Sequence, residues 1–111
     1  MKYIYLSGPI TGCEADSEII FTEAYLQIMA SGFMPINPHF ICSDIPKGSA
    51  HAVYMLRCMR FLTTLADAVV MLPGWESSIG ALAEATTANA CGIPVYTSID
   101  SLFKAIKSTK G

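Results

Sequence analysis

Hydrophobic positions recur along this chain in two rhythms that take turns. Residues 2–7, KYIYLS, are β-branched and aromatic and close on Ser7-Gly8-Pro9, the pattern of a buried first strand. A helical period follows the polar Thr11-Gly12-Cys13-Glu14. It has Asp16 or Ser17 as its N-cap, Glu18, Thr22 and Glu23 on its wet side, and runs to Ser31 with Gly32 as the stop. Phe33 to Ile36 is a short second strand, ended by Asn37-Pro38. Residues 38–50 are rich in turn formers and read as a long loop, a length that in a small domain points to a functional or covering segment. Ala52 to Leu65 is a second helix, with Arg57, Arg60 and Thr64 as a narrow polar stripe. It is apolar over more than half its girth, so it needs its own sheet on one side and a second subunit or a lid on the other. Asp67 to Leu72 has the continuous apolar run of a central parallel strand. A polar loop, Pro73 to Ser78, leads into a third helix near Ile79, which stops at Gly92-Ile93-Pro94. Val95 to Thr97 is a fourth strand, and Asp100 to Lys107 a last short helix.

Strand and helix therefore alternate four times, which predicts an α/β fold. The expected form is a flavodoxin-like three-layer sandwich whose four-stranded parallel sheet has the order 2-1-3-4, with residues 1–111 as a single domain. In that order the carboxyl ends of strands 1 and 3 lie side by side. Ser7-Gly8-Pro9 should then meet the segment Pro73 to Gly80 in one crevice.

Composition narrows the partners. The chain is 52% hydrophobic and 14% charged, more apolar surface than a small monomer hides, so a homodimer or higher homo-oligomer is expected. A net charge of −2 without a basic run argues against a nucleic-acid polymer. Cys13, Cys42, Cys58 and Cys91 are widely spaced with no C-x-x-C pair. That pattern fits free thiols in a reducing compartment better than zinc or a disulfide framework, and no metal or cofactor is expected. The opening MKYIYLSGP is too short an apolar run for a signal peptide or a membrane span, so a cytoplasmic protein is expected.

The candidate chemistry gathers between Leu72 and Val95. Glu84 shares its helix face with Gly80, Ala81, Ala85 and Ala88, and such small neighbours leave room above a carboxylate. Ser77, Ser78 and the free amides at the helix start suit an anion. The competing reading has one of these serines merely cap the helix while Glu84 faces solvent, and spacing alone does not decide. Trp75, the single tryptophan, either stacks on a ligand base at the crevice mouth or sits at the rim of a dimer contact. His39 and His51 flank the long loop, as ligand contacts or as solvated side chains.

IYLSGP at 4–9, DAVVMLPGW at 67–75, and S-x-G-x-x-x-E followed by A-x-x-x-G-x-P-V at 78–95 together resemble the nucleoside 2-deoxyribosyltransferase family. That family includes the 2'-deoxynucleoside 5'-phosphate N-hydrolases and small phage and bacterial relatives, in which LPGW-x-x-S-x-G-A-x-x-E recurs. The resemblance implies that Glu84 attacks C1' of a deoxyribosyl group, expels the base and forms a glycosyl ester. It makes Tyr5 the residue that orients this carboxylate, against the plainer reading of an ordinary strand aromatic. Ser7, Gly8 and Ile10, with Pro9 in the same loop, match positions close to the sugar and base. Ser78 stands where family transferases carry an Asp for the sugar 5'-hydroxyl and where the monophosphate hydrolases carry Ser, which implies a 5'-phosphate. The chain departs from the pattern at Met59, where the family has an Asp that assists the leaving base. A thioether packs against a base but transfers no proton. Glu76, Asp44 or His51 would have to replace it, and Asp67 reads as structural.

The expected activity is thus an N-glycosidic bond hydrolase or deoxyribosyltransferase-like enzyme acting on a nucleoside 5'-monophosphate-type substrate. A nucleotide-binding protein with little turnover is the first alternative, favoured by Met59. A phosphoribohydrolase is the second, since P-G-G-x-G-T-x-x-E matches Pro73, Gly74, Gly80 and Glu84 in type, although the spacing here is longer.

Overall fold

The computed structural model describes residues 1–110, with side chains through Ser108. The strands are β1 (Tyr3–Ser7), β2 (Met34–Ile36), β3 (Ala68–Met71) and β4 (Val95–Tyr96). The helices are α1 (Glu14–Ala30), α2 (Pro38–Ile41), α3 (His51–Leu65), α4 (Ile79–Ala90) and α5 (Ile99–Lys110). The sheet has the order β2-β1-β3-β4 and every neighbouring pair is parallel, with Ile4 opposite Ala68 and Pro35, and Val70 opposite Tyr96. The α/β fold and strand order expected from the alternation are both present.

Alternation along β1 and β3 divides the core between two layers. Ile4, Leu6, Val70 and Leu72 join Phe21, Ala24 and Ile28 of α1 and Leu102 of α5 on one face. Tyr5, Val69 and Met71 join Cys58 and Leu62 of α3 and Ala81, Ala85 and Ala88 of α4 on the other. The small residues of α4 let its backbone lie close to the sheet. Side chains of α3 fill that layer, and a Cβ on Gly80 would stand 3.4 Å from the Met55 sulfur.

Two boundaries differ from expectation for identifiable reasons. α1 starts at Glu14, and neither Asp16 nor Ser17 caps it. Ser17 is buried instead, and its hydroxyl is 2.9 Å from His39 Nε2. Within the expected loop, residues 38–41 form one helical turn. Asn37 caps it by accepting the His39 amide at 3.0 Å, and Pro38 occupies the first turn, where its missing N–H costs nothing.

Asp67 has the structural role assigned to it. One carboxylate oxygen accepts the Lys2 and Tyr3 amides at 2.7 and 2.9 Å, tying the start of β1 to the start of β3. Those two bonds hold its carboxyl below the usual range. Among the described residues no helix is long and apolar enough to cross a membrane.

Candidate active site around Glu84

Tyr5 and Ser7 are two residues apart on β1, so both side chains leave the same face of the sheet. Glu84 comes down to meet them from the middle of α4. The Tyr5 hydroxyl donates to one carboxylate oxygen of Glu84, and the Ser7 hydroxyl donates to the other at 2.7 Å. Glu84 is 5% exposed, and Tyr5 and Ser7 are fully buried. The reading that placed Glu84 in solvent is therefore excluded, and Tyr5 is not an ordinary strand aromatic.

This carboxylate is unusual in what it lacks. The ion pair between Arg57 and Asp44 is the one formed among the described residues, and no cation pairs with Glu84. Burial pushes the Glu84 carboxyl upward, while the two hydroxyl donors pull it down and recover only part of the shift. Burial, then the adjacent negative charge, drives the Tyr5 phenol well above its ordinary value, so it stays a proton donor to Glu84. Cys58 lies against the same phenol. Its thiol is pushed up to about 12, mainly by burial.

The two glycine-containing loops do converge. The Leu72 amide donates to the Ser7 carbonyl at 2.7 Å, and a Cβ on Gly74 would stand 3.2 Å from Pro9 Cγ. Gly74 has φ of 88°, which allows the chain to turn sharply into the 3-10 turn Trp75–Ser77. Gly8 is buried with no room for a side chain, since a Cβ there would be 3.1 Å from Leu72 Cβ. Ser78 is the N-cap of α4 and accepts the Ala81 amide at 3.2 Å. Ser77 lies outside α4, in the turn before it, and is exposed, so it shares no helix face with Glu84.

The remaining candidates are scattered. Ser7 is engaged by Glu84, and Ile10 packs against the apolar cluster on the α1 side. Met59 is half-buried on α3, next in sequence to Cys58. Asp44 is held by both Arg57 guanidinium nitrogens at 2.7 and 3.2 Å, which keeps its carboxyl low and ionised, a poor proton donor. His39 belongs to the contact of α2 with α1: its ring meets Phe21 edge-on, and burial lowers its pKa. His51 begins α3 and is exposed. Trp75 packs against the Tyr5 side of the core and also lines a groove of about 360 Å³ at the carboxyl ends of β3 and β4, with Glu76, Thr97, Ser98 and Asp100. Glu84 is not part of that groove's wall.

Sequence reasoning missed two things. The bond from the Ser7 hydroxyl to Glu84 is the first, and the two-residue offset of Ser7 from Tyr5 was a usable signal. Cys42 and Cys58, sixteen residues apart, have sulfurs 3.6 Å from each other, and no spacing rule marks that pair. Among the described residues no cluster of three or more His, Cys, Asp or Glu could hold a metal.

The chain belongs to the family described as Domain of unknown function (DUF4406), whose model matches residues 2–97. The match takes in all four strands, Tyr5, Ser7 and Glu84, and stops before α5. No curated protein matches the chain in sequence.

Proposed function

We propose that this member of the DUF4406 family cleaves an N-glycosidic bond in a nucleoside 5'-monophosphate-type substrate, with Glu84 as the nucleophile. The observation that carries the reading is a buried carboxylate with a hydroxyl donor on each oxygen and no counter-ion. A structural glutamate would gain from a cation partner, because an unpaired buried charge is costly. A nucleophile gains from its absence. Its charge stays available to the oxocarbenium-like centre that develops at C1'. Attack by one Glu84 oxygen forms the C1'–O bond as the bond to the base breaks, and water or a second base then resolves the ester.

Ser78 and the start of α4 support the phosphate end of the substrate. The Ser78 oxygen accepts from Ala81, which leaves its O–H to donate, and first-turn amides have no intrahelical partner. Ile79 beside it is 85% exposed, so this helix start is open. The reading includes self-association. Val53 and Leu56 of α3 and Ile79 and Leu82 of α4 are exposed on two helices that pack together. A nucleotide-binding protein with little turnover is the second reading. It is favoured by the thioether at Met59 and by the commitment of Asp44 to Arg57, which together leave the departing base without an evident acid.

The test is incubation with a panel of nucleosides and 5'-monophosphates, with free base followed by chromatography. Glu84→Gln should cut base release by roughly 10³-fold or more, as loss of a covalent nucleophile does. Unchanged release in that variant overturns the assignment. A nucleotide-dependent rise in melting temperature without any free base selects the binding reading.

A further inference from the structure

Where the end of α2 meets the middle of α3, two thiols lie beside the Tyr5–Glu84 pair. Cys42 Sγ and Cys58 Sγ are 3.6 Å apart, and both are reduced. Cys58 is buried in the same core cluster as Tyr5, whose hydroxyl bonds Glu84, while Cys42 meets Cys58 from the end of α2. The other two cysteines are placed differently: Cys13 bonds the Ile10 carbonyl at 3.7 Å, and Cys91 is exposed. We propose that Cys42 and Cys58 are a redox modification site, closing to a reversible disulfide when the protein meets a peroxide.

Three features of the fold carry this. First, the sulfurs need to approach by only about 1.5 Å to reach disulfide distance. Second, the two cysteines differ in mobility and access. Cys42 follows a four-residue helical turn and precedes a loop, and it is half-buried; Cys58 is fixed inside a fifteen-residue helix. The movement therefore falls on Cys42, which is also the thiol a peroxide can reach. Third, burial raises the Cys42 thiol overall, the Cys58 sulfur and the Arg57 guanidinium offset part of that rise, and Asp44 and Glu84 add to it, so its thiolate forms as pH climbs.

The chemistry balances without any group from the candidate active site. The Cys42 thiolate attacks one peroxide oxygen, the O–O bond breaks, and Cys42 becomes a sulfenic acid with release of hydroxide. The Cys58 sulfur then attacks the sulfenic sulfur, and the S–S bond forms as a second hydroxide leaves. Those two hydroxides take up the two thiol protons, so peroxide is reduced to two waters. Burial keeps both thiols protonated at neutral pH, so closure should quicken as pH rises. The disulfide removes the Cys58 S–H from the cluster that holds Tyr5 and ties the end of α2 to α3. The inference holds whether or not Glu84 is a nucleophile.

The test uses the full reduced chain exposed to hydrogen peroxide, with intact mass, peptide mapping and thiol titration. The expected product has lost two hydrogen atoms, shows residues 42 and 58 in linked peptides, retains only Cys13 and Cys91 as titratable thiols, and reverts with dithiothreitol. Cys42→Ser should abolish the hydrogen loss and Cys91→Ser should leave it intact. Oxygen added to any cysteine without a 42–58 link overturns the proposal, as does a disulfide through Cys91 between chains. An unmodified Cys42 and Cys58 after peroxide treatment at alkaline pH overturns it too. The map of the native chain decides this even if Cys42→Ser folds poorly.

Discussion

Glu84 exposes the conflict between stability and chemistry at the scale of one residue. Its folded pKa is raised, so the native state prefers the protonated form. The sign follows: whatever this group contributes to stability is fully present below its unfolded pKa and is lost as pH rises through the folded one. Replacing it with Gln, which stays neutral, keeps an acceptor oxygen for one hydroxyl and offers an NH2 that donates to the other, should raise the melting temperature at neutral pH. The gain should shrink as pH falls through the raised folded pKa and be gone below the ordinary glutamate value. A melting-temperature difference that is flat with pH would show that Glu84 is not strained by its charge. The same shift places the acid limb of any Glu84-dependent base release above the ordinary glutamate range, because only the ionised form attacks.

The elements around this residue set how closely the two loops approach and what the mouth of α4 accepts. Gly8 lies at the exit of β1, where a methyl group would press on Leu72, itself 1% exposed. Gly8→Ala should therefore destabilise the chain by about 1–3 kcal/mol, measured by denaturant unfolding, as overpacking of a filled core does. At the start of α4, Ser78→Asp preserves an N-cap, since Asp accepts a first-turn amide as well as Ser does. The fold should hold while a carboxylate faces the expected phosphate. Monophosphate binding by calorimetry should weaken more than nucleoside binding; equal losses would remove the phosphate from the proposal. This pairing separates a capping role, which Asp fulfils, from an anion-binding role, which it opposes.

Over the whole molecule, charge is scarce and the outer helices carry uncovered apolar side chains. Leu56 is 68% exposed on α3, and Ile79 and Leu82 stand out from α4 beside it. Surface of this kind is normally covered in a small protein. The native chain should sediment as a dimer or larger, and Leu56→Asp with Ile79→Asp should return it to the 11.9 kDa monomer. A native monomer at micromolar concentration would dismiss self-association.

The order of elements and the strand order 2-1-3-4 were readable along the chain. Period-2 and period-3.6 patterns are local, and parallel connections leave few topologies for four βα units. Helix boundaries were less so. Ser17 has the residue type of a cap, yet its hydroxyl serves His39 from another element. The same limit applies to the site. Sequence marked Tyr5, Ser7 and Glu84 separately, and the shared face of Tyr5 and Ser7 followed from strand alternation alone. The meeting of those hydroxyls with both oxygens of a carboxylate seventy-seven or more residues away depends on the rotation of α4 against the sheet. Ala81, Ala85 and Ala88 set that rotation by packing. So the chain by itself determined which groups exist and which strand face carries them. Only the folded structure decided that Glu84 is buried without a counter-ion, and that Cys42 and Cys58 touch, because burial and sulfur–sulfur contact arise between elements and have no local period.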